Sequence, residues 1–456
     1  MKKVIAISTA LALCLTMLSA CGSDAEASAA SVEASTKKSG IQLDNNQTAE
    51  DSTAEETNAD NTNTENTNTQ SGVALDDNRN TEEPVSYSEA DIEVTGEYLI
   101  RDEEHGSSRY VLVLKNNAPV TLDITVNGTL TADDGSTAED SISLEPIAPG
   151  EEYPGAFSVD SPNLKSVSYT LECKESTYYH SLTSEISVVS ATQNDKNVII
   201  GLKNDGSENA IVRLGAVFLD EDGNPVHYDY GSVGNKCSEM RPGDTLYCEL
   251  SPSAYDTFTD ARVFYTAYAD EPKTVSSTKP EDFDVNCYRE ENSDICVFTV
   301  TNNSQQTVEV KGNVAGLDAA GNPITADNFY IDILGPGETA ATNIGLFADD
   351  VADVIYTVMC DDYTLEDSVP IVGDLAGSVT DASEDGFTVS VTNNGQATAK
   401  YVRSYILLFD ESGKYVGYDS GSIDAIEPNG TGTCEISNYR DYDHYELYFE
   451  AYGSVE

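Results

Sequence analysis

The groups of this 456-residue chain that could do chemistry are nine cysteines, four histidines and 80 carboxylates. Their spacing sets narrow limits. His105, His180, His227 and His444 lie far apart and make no HExxH pair, so they read as solvated or turn residues. No CxxC spacing occurs, which argues against a zinc site. Asp419-Ser420-Gly421 imitates an aspartic-protease triplet, but Asp229-Tyr230-Gly231 stands in the same local pattern earlier in the chain, and that chemistry needs two such carboxylates. Asp220-Glu221-Asp222-Gly223 offers oxygen to a hard cation, yet lacks the alternating acids and distal Glu of an EF-hand loop; a hairpin turn explains it. No catalytic, metal or cofactor-binding set can be assembled, and a protein that is not an enzyme and carries no cofactor is expected.

Cysteine chemistry is the remaining possibility. Cys237 and Cys248 are symmetric about Pro242-Gly243, and Cys287 and Cys296 straddle the turn around Glu290 to Ser293. Each pair is a candidate disulfide, which an exported chain permits without requiring. Cys173, Cys296 and Cys360 occupy places where other repeats carry apolar or aromatic residues, so they also suit the role of small buried hydrophobes.

Export is written at the start of the chain. Lys2 and Lys3 precede a short apolar stretch, Val4 to Leu18, which is a secretory-signal layout too short for a membrane-spanning helix. The stretch ends Leu18-Ser19-Ala20-Cys21-Gly22, which resembles the lipobox of bacterial lipoproteins. That resemblance implies cleavage after residue 20, a diacylglyceryl group on the Cys21 thiol, and a membrane-anchored protein facing the extracytoplasmic side. Residues 21–87 are polar, acidic and nearly free of large apolar groups, and are expected to form a disordered tether. The whole chain carries 80 acidic against 24 basic side chains, a formal charge of −56. Nucleic acid is therefore excluded as a partner, and contact with lipid is expected at Cys21 alone.

Beyond the tether, four landmarks recur in four copies. An apolar strand ends in an Asn-rich turn at Asn116, Asn204, Asn302 and Asn393. A second turn follows at Gly135, Gly223, Gly321 and Gly413, 19 residues later in the first three copies and 20 in the fourth. Proline turns stand at Pro149, Pro242, Pro336 and Pro428, and a late strand carries Tyr169, Tyr265, Tyr356 and Tyr448. Short β-branched and aromatic strands separated by such turns, with no helical apolar stripe, predict an all-β chain. The size and about seven strands per copy suit four tandem immunoglobulin-like β-sandwich domains, over 88–177, 178–274, 279–364 and 368–456. The central units Val217 to Gly223 and Ile406 to Gly413 resemble the FxLYD family of small extracytoplasmic β-domains. That resemblance implies a fold without fixing a chemistry.

The expected function is a membrane-anchored binding, adhesion or scaffold module with a protein or glycan partner. The alternative, a solute-binding lipoprotein of a transport system, calls for long helices around a cleft, which the pattern does not show. Each copy is expected to fold alone. In the last copy Tyr415, Tyr418 and Tyr442 are expected as exposed partner contacts, with Tyr448 serving the fold.

Overall fold

The computed structural model describes residues 41–43, 87–103, 105–232, 239–252, 257–269, 278–290, 293–348, 350–363, 368–383, 386–438 and 440–455. Cys21, Cys237 and all of the tether except 41–43 and Tyr87 lie outside them. The described chain is all-β. A first strand, β1 (Ile41–Leu43), precedes the repeats. Repeat 1 holds β2 (Ile92–Asp102), β3 (Ser107–Asn116), β4 (Leu122–Ala132), β5 (Thr137–Ile147), β6 (Glu152–Val159) and β7 (Leu164–Glu175). Repeat 2 holds β8 (His180–Ser181), β9 (Ile186–Gln193), β10 (Val198–Asn204), β11 (Ile211–Leu219), β12 (Pro225–Ser232), β13 (Thr245–Leu250) and β14 (Asp260–Ala269). Repeat 3 holds β15 (Phe283–Arg289), β16 (Ile295–Asn302), β17 (Val308–Leu317), β18 (Pro323–Leu334), β19 (Thr339–Gly345) and β20 (Asp353–Asp362). Repeat 4 holds β21 (Ser368–Val369), β22 (Leu375–Ala382), β23 (Gly386–Asn393), β24 (Thr398–Phe409), β25 (Tyr415–Ile426), β26 (Thr431–Ser437) and β27 (His444–Ser454).

Each repeat is a sandwich built on two three-stranded antiparallel sheets, to which repeats 2 and 4 add the short seventh strands β8 and β21. In repeat 1 these are β2-β3-β6 and β5-β4-β7; repeat 4 pairs β22-β23-β26 with β25-β24-β27. The Asn landmark is the buckle that joins the two sheets. Asn116 donates from Nδ2 to the carbonyls of Val120 and Ile147, both at 2.8 Å, and its Oδ1 accepts from the Ala118 N–H at 2.8 Å. Asn204, Asn302 and Asn393 make the same three bonds in their own repeats. All four are essentially fully buried. An amide satisfied this completely is inexpensive to bury, whereas an apolar replacement strands three backbone groups. The hairpin glycine has positive φ in every copy, +81° at Gly223, where a Cβ would be strained.

The tether is not wholly outside the fold. β1 pairs in parallel with β14, Ile41 opposite Ala261 and Leu43 opposite Val263, which corrects the expectation of disorder throughout 21–87.

The repeats stack in chain order, and the stacking uses the same faces each time. The outer face of the first sheet of one repeat covers the outer face of the second sheet of the next. Both faces of the central strand are therefore buried in repeats 2 to 4, which explains why Ile406-Leu407-Leu408-Phe409 reads as an unbroken apolar run. Counting back from the hairpin glycine, the outward residues correspond: Thr129, Val217, Ala315 and Leu407, then Asn127, Gly215, Asn313 and Tyr405, then Thr125, Arg213, Lys311 and Arg403.

At the junction of repeats 1 and 2, Val217, Tyr228 and Phe264 join the apolar cluster that contains Val111 and Val113. Between repeats 3 and 4, a separate cluster unites Val297 and Ala341 with Tyr405, Leu407 and Phe409. One bridge, Ala340 beside Phe449, makes β15-β16-β19-β27-β24-β25 a single sheet across that junction. The expectation that each copy buries its own core therefore holds for the inner layer only.

Between repeats 2 and 3, Ala315 and Met359 are buried at the junction, but the middle level is polar. Asn313 donates to the Tyr247 carbonyl at 2.8 Å and accepts from its N–H at 2.7 Å. Glu249 accepts from Thr325 Oγ1 and the Ala326 N–H, each at 2.9 Å. Lys311 lies 4% exposed, 3.5 Å from Asp361 and 3.6 Å from Glu309. The two ends of the stack are polar too. Thr125, Asn127 and Thr129 line the outer face of repeat 1, and Thr388, Ser390 and Thr392 that of repeat 4.

Candidate functional site

The three tyrosines expected as exposed contacts are partly buried and each packs against an apolar cluster. Tyr415 and Tyr418 rest against the cluster between repeats 3 and 4, with the Tyr415 ring 5.4 Å from that of Tyr288. Tyr442 packs on the core of repeat 4, its ring 5.3 Å from Phe387. The reason is that the outer face of β24 and β25 meets repeat 3, which a reading of one repeat in isolation leaves out. Tyr445, Leu447, Phe449 and Ala451 face the core as the alternation of β27 requires, and Tyr448 packs into the junction.

The cysteines behave as hydrophobes. Cys287 and Cys296 are unbonded thiols that meet diagonally across the hairpin, because Cys287 stands opposite Phe298 and Cys296 opposite Arg289. The Cys287 thiol donates to the Cys296 sulfur, and this together with burial pushes Cys287 far above the ordinary thiol range. Cys248 is a buried thiol pushed up to about 12 by desolvation, and its suggested partner Cys237 lies outside the described residues. Thiolates, the reactive form, are disfavoured at both Cys248 and Cys287. Asp220 accepts from the N–H groups of Asp222 and Asn224 at 2.9 and 2.7 Å, so its carboxylate serves the turn. Asp419 faces Arg440 at 3.4 Å.

The site that the fold does build is a groove of about 430 Å³ where repeats 3 and 4 meet. It starts from one residue. The twentieth residue between Asn393 and Gly413 is absorbed as a β-bulge in β24, between Lys400 and Arg403. Tyr401 sits in it at φ +50°, in the left-handed region, with 69% of its surface exposed. A β-bulge re-aims a side chain, and a bulky residue held at positive φ costs about 1–3 kcal/mol. The Tyr401 ring lies 5.7 Å from that of Tyr452 at an interplanar angle of 34°, so the two form a tilted aromatic pair that can serve as a platform.

Below the platform, Arg403 lies 5.0 Å over the ring of Tyr405 and reaches the hydroxyl of Ser420 at 3.3 and 3.4 Å. These are long contacts for a group with five donors. Glu450 accepts one bond, from Tyr405 at 3.0 Å. Burial pushes its carboxyl above the ordinary glutamate range, against the pull of that hydroxyl and of Arg403. Asp332 from β18 and Asp424 from β25 complete the polar lining, and Ile331 and Ile333 supply an apolar wall. The groove thus offers unspent donors and acceptors beside two aromatic faces.

A second groove of about 440 Å³ lies where repeats 1, 2 and 3 approach, lined by Tyr153, Arg213, Tyr230 and Glu249. Of its two carboxylates, Asp327 accepts from the Asn328 N–H at 2.7 Å and Glu249 is fully committed. Glu249 also accepts from Asn197 Nδ2 at 2.7 Å, besides its two bonds to repeat 3. The signal for the better groove was present in the sequence as the count of 20 against 19, but an extra residue alone does not say that it carries an exposed ring.

No family model matches the chain, and no curated protein matches it. Among solved structures it is similar to the C-terminal globular domain of an oligosaccharyltransferase from Pyrococcus abyssi, with 8% identity, 62% of this chain and 76% of that chain covered, and a TM-score of 0.12. It is also similar to Salmonella alpha-2-macroglobulin reacted with methylamine, with 9% identity, 79% and 31% covered, and a TM-score of 0.10. Likenesses at those scores carry no argument about this chain.

Proposed function

We propose that the chain is a membrane-anchored extracytoplasmic lipoprotein that displays a stack of four β-sandwiches as a non-enzymatic binding module. The anchor is the lipid on Cys21, read from the lipobox resemblance, and the acidic segment after it is the tether. The FxLYD-like units of repeats 2 and 4 fit small extracytoplasmic β-domains. The observation that carries the reading is the groove between repeats 3 and 4: a strained, exposed tyrosine on a rigid sheet, beside polar groups that the fold leaves unspent. Strain of this kind persists where surrounding structure holds it in place, and it concentrates at functional sites.

Attachment is tested by Cys21→Ser, which should move the protein from the membrane fraction to the medium. Retention after a high-salt wash would refute the anchor. Binding is tested by incubating the full chain, purified in detergent, on protein and glycan arrays and then analysing the bound ligand for cleavage. Turnover of a bound ligand would refute the non-enzymatic reading.

A further inference from the structure

We propose that the groove between repeats 3 and 4 is a binding site for neutral saccharides, with Tyr401 and Tyr452 as the stacking platform and Arg403, Glu450 and Asp332 as the hydroxyl-binding groups. This rests on the binding-module reading and gives it a ligand class. A pyranose ring presents an apolar C–H face and a rim of hydroxyls, each both donor and acceptor. The groove presents the complement: aromatic faces at its mouth, then Arg403 as a donor next to Glu450 as an acceptor. A vicinal diol can accept from a guanidinium and donate to a carboxylate at the same time. The volume of about 430 Å³ falls in the range of small-ligand sites, roughly 300–1,000 Å³.

Charge and ring geometry exclude the competitors. Asp332, Asp424 and Glu450 outnumber Arg403, so uronic acids and phosphates are repelled. A cationic side chain would profit from an aromatic cage, but the two rings here are a tilted pair with centroids 5.7 Å apart, too close for a cation to enter between them. A cation entering deeper would also meet the Arg403 guanidinium over Tyr405.

The bulge gives the proposal a signature that packing alone does not produce. Tyr401→Gly relieves the positive φ and removes the platform, so it should raise the melting temperature while weakening binding at least tenfold. The full chain in detergent is titrated by calorimetry with cellohexaose, mannohexaose and chitohexaose, with an oligogalacturonate, and with a Lys-rich peptide. The expected result is binding of one or more of the three neutral oligosaccharides, lost in Tyr401→Gly and in Arg403→Gln, with no response to the oligogalacturonate or the peptide. Binding of the peptide alone would overturn the ligand class and leave the binding module standing. Neutral binding unchanged in Tyr401→Gly would overturn the site, and no binding in any arm would overturn the proposal. The Cys21→Ser fractionation is independent of every one of these outcomes.

Discussion

Asn313 and Tyr405 occupy the same level of the same strand, facing the same side, in repeats 3 and 4. At Asn313 the neighbouring repeat is met by two hydrogen bonds to the Tyr247 backbone. At Tyr405 it is met by a fully buried ring surrounded by Val297, Ala341, Leu407 and Phe409. Geometry is thus common to the junctions, while side chains decide how firmly each one holds. Apolar burial contributes about 1.5–3 kcal/mol per large side chain, against about 0.5–1.5 kcal/mol for a net hydrogen bond.

The connections follow the same alternation. β8 pairs with β14 and β21 with β27, so the chain entering repeats 2 and 4 is strapped to the last strand of that repeat. The acid after the proline turn adds a second tie. Glu151 accepts from Ser181 Oγ at 2.8 Å and Thr266 Oγ1 at 3.1 Å, and Glu338 from the Gly373 N–H at 2.7 Å. Asp244, at the same place in repeat 2, bonds within its own turn, accepting from the Arg241 N–H at 3.0 Å. Repeats 1 and 2, and repeats 3 and 4, are thus tied by their connections as well as by their faces. Repeats 2 and 3 instead meet through a mixed junction, in which Met359 of repeat 3 joins the apolar cluster of repeat 2 beside the Asn313 and Glu249 hydrogen bonds.

The largest expected effect is at Tyr405. Tyr405→Ala empties the junction and should cost about 3–5 kcal/mol in urea denaturation of repeats 3 and 4. Asn313→Ala leaves both Tyr247 backbone groups without their partner and should cost about 1–3 kcal/mol, with faster hydrogen exchange at the Tyr247 amide. An equal loss at the two positions would erase the distinction between the junctions. Lys311→Met should change stability little, because burial disfavours its charge and holds the amine below the ordinary lysine range, while the Glu309 and Asp361 carboxylates left behind are partly exposed to water.

The smallest effect is set by pH. Glu450 has its folded pKa raised, so the native state binds its proton more tightly than the unfolded chain, and stability falls as pH rises from the ordinary glutamate range through the raised folded value. Glu450→Gln should therefore have the higher midpoint at neutral pH, with the difference vanishing under acid conditions where Glu450 is protonated in both states. A wild-type midpoint equal to the variant's at neutral pH would remove the electrostatic cost assigned to the groove.

Much of the fold was legible because its landmarks are local. Asn, Asp-Gly and Pro-Gly turns act within a few residues, and the Asn buckle needs only its own repeat. The stacking was not legible, since Tyr415 and Tyr418 look like surface residues until repeat 3 is laid against them. The late tyrosine misled for a related reason. Tyr169, Tyr265 and Tyr356 stand opposite Gly128, Leu214 and Val314, whose side of the strand faces the core, while Tyr448 stands opposite Tyr405 on the junction face. The strand is offset there, and a matched sequence interval concealed a reversed face.

Cutting the chain at the two kinds of junction tests the pairing most directly. Residues 278–455 and residues 368–455 are expressed separately, and their thermal unfolding is compared with that of the full chain. The account predicts that 278–455 unfolds in one cooperative transition near the full-chain midpoint. It also predicts that 368–455, with Tyr405, Leu407 and Phe409 uncovered, loses most of its stability. A fragment 368–455 as stable alone as it is beside repeat 3 would contradict it.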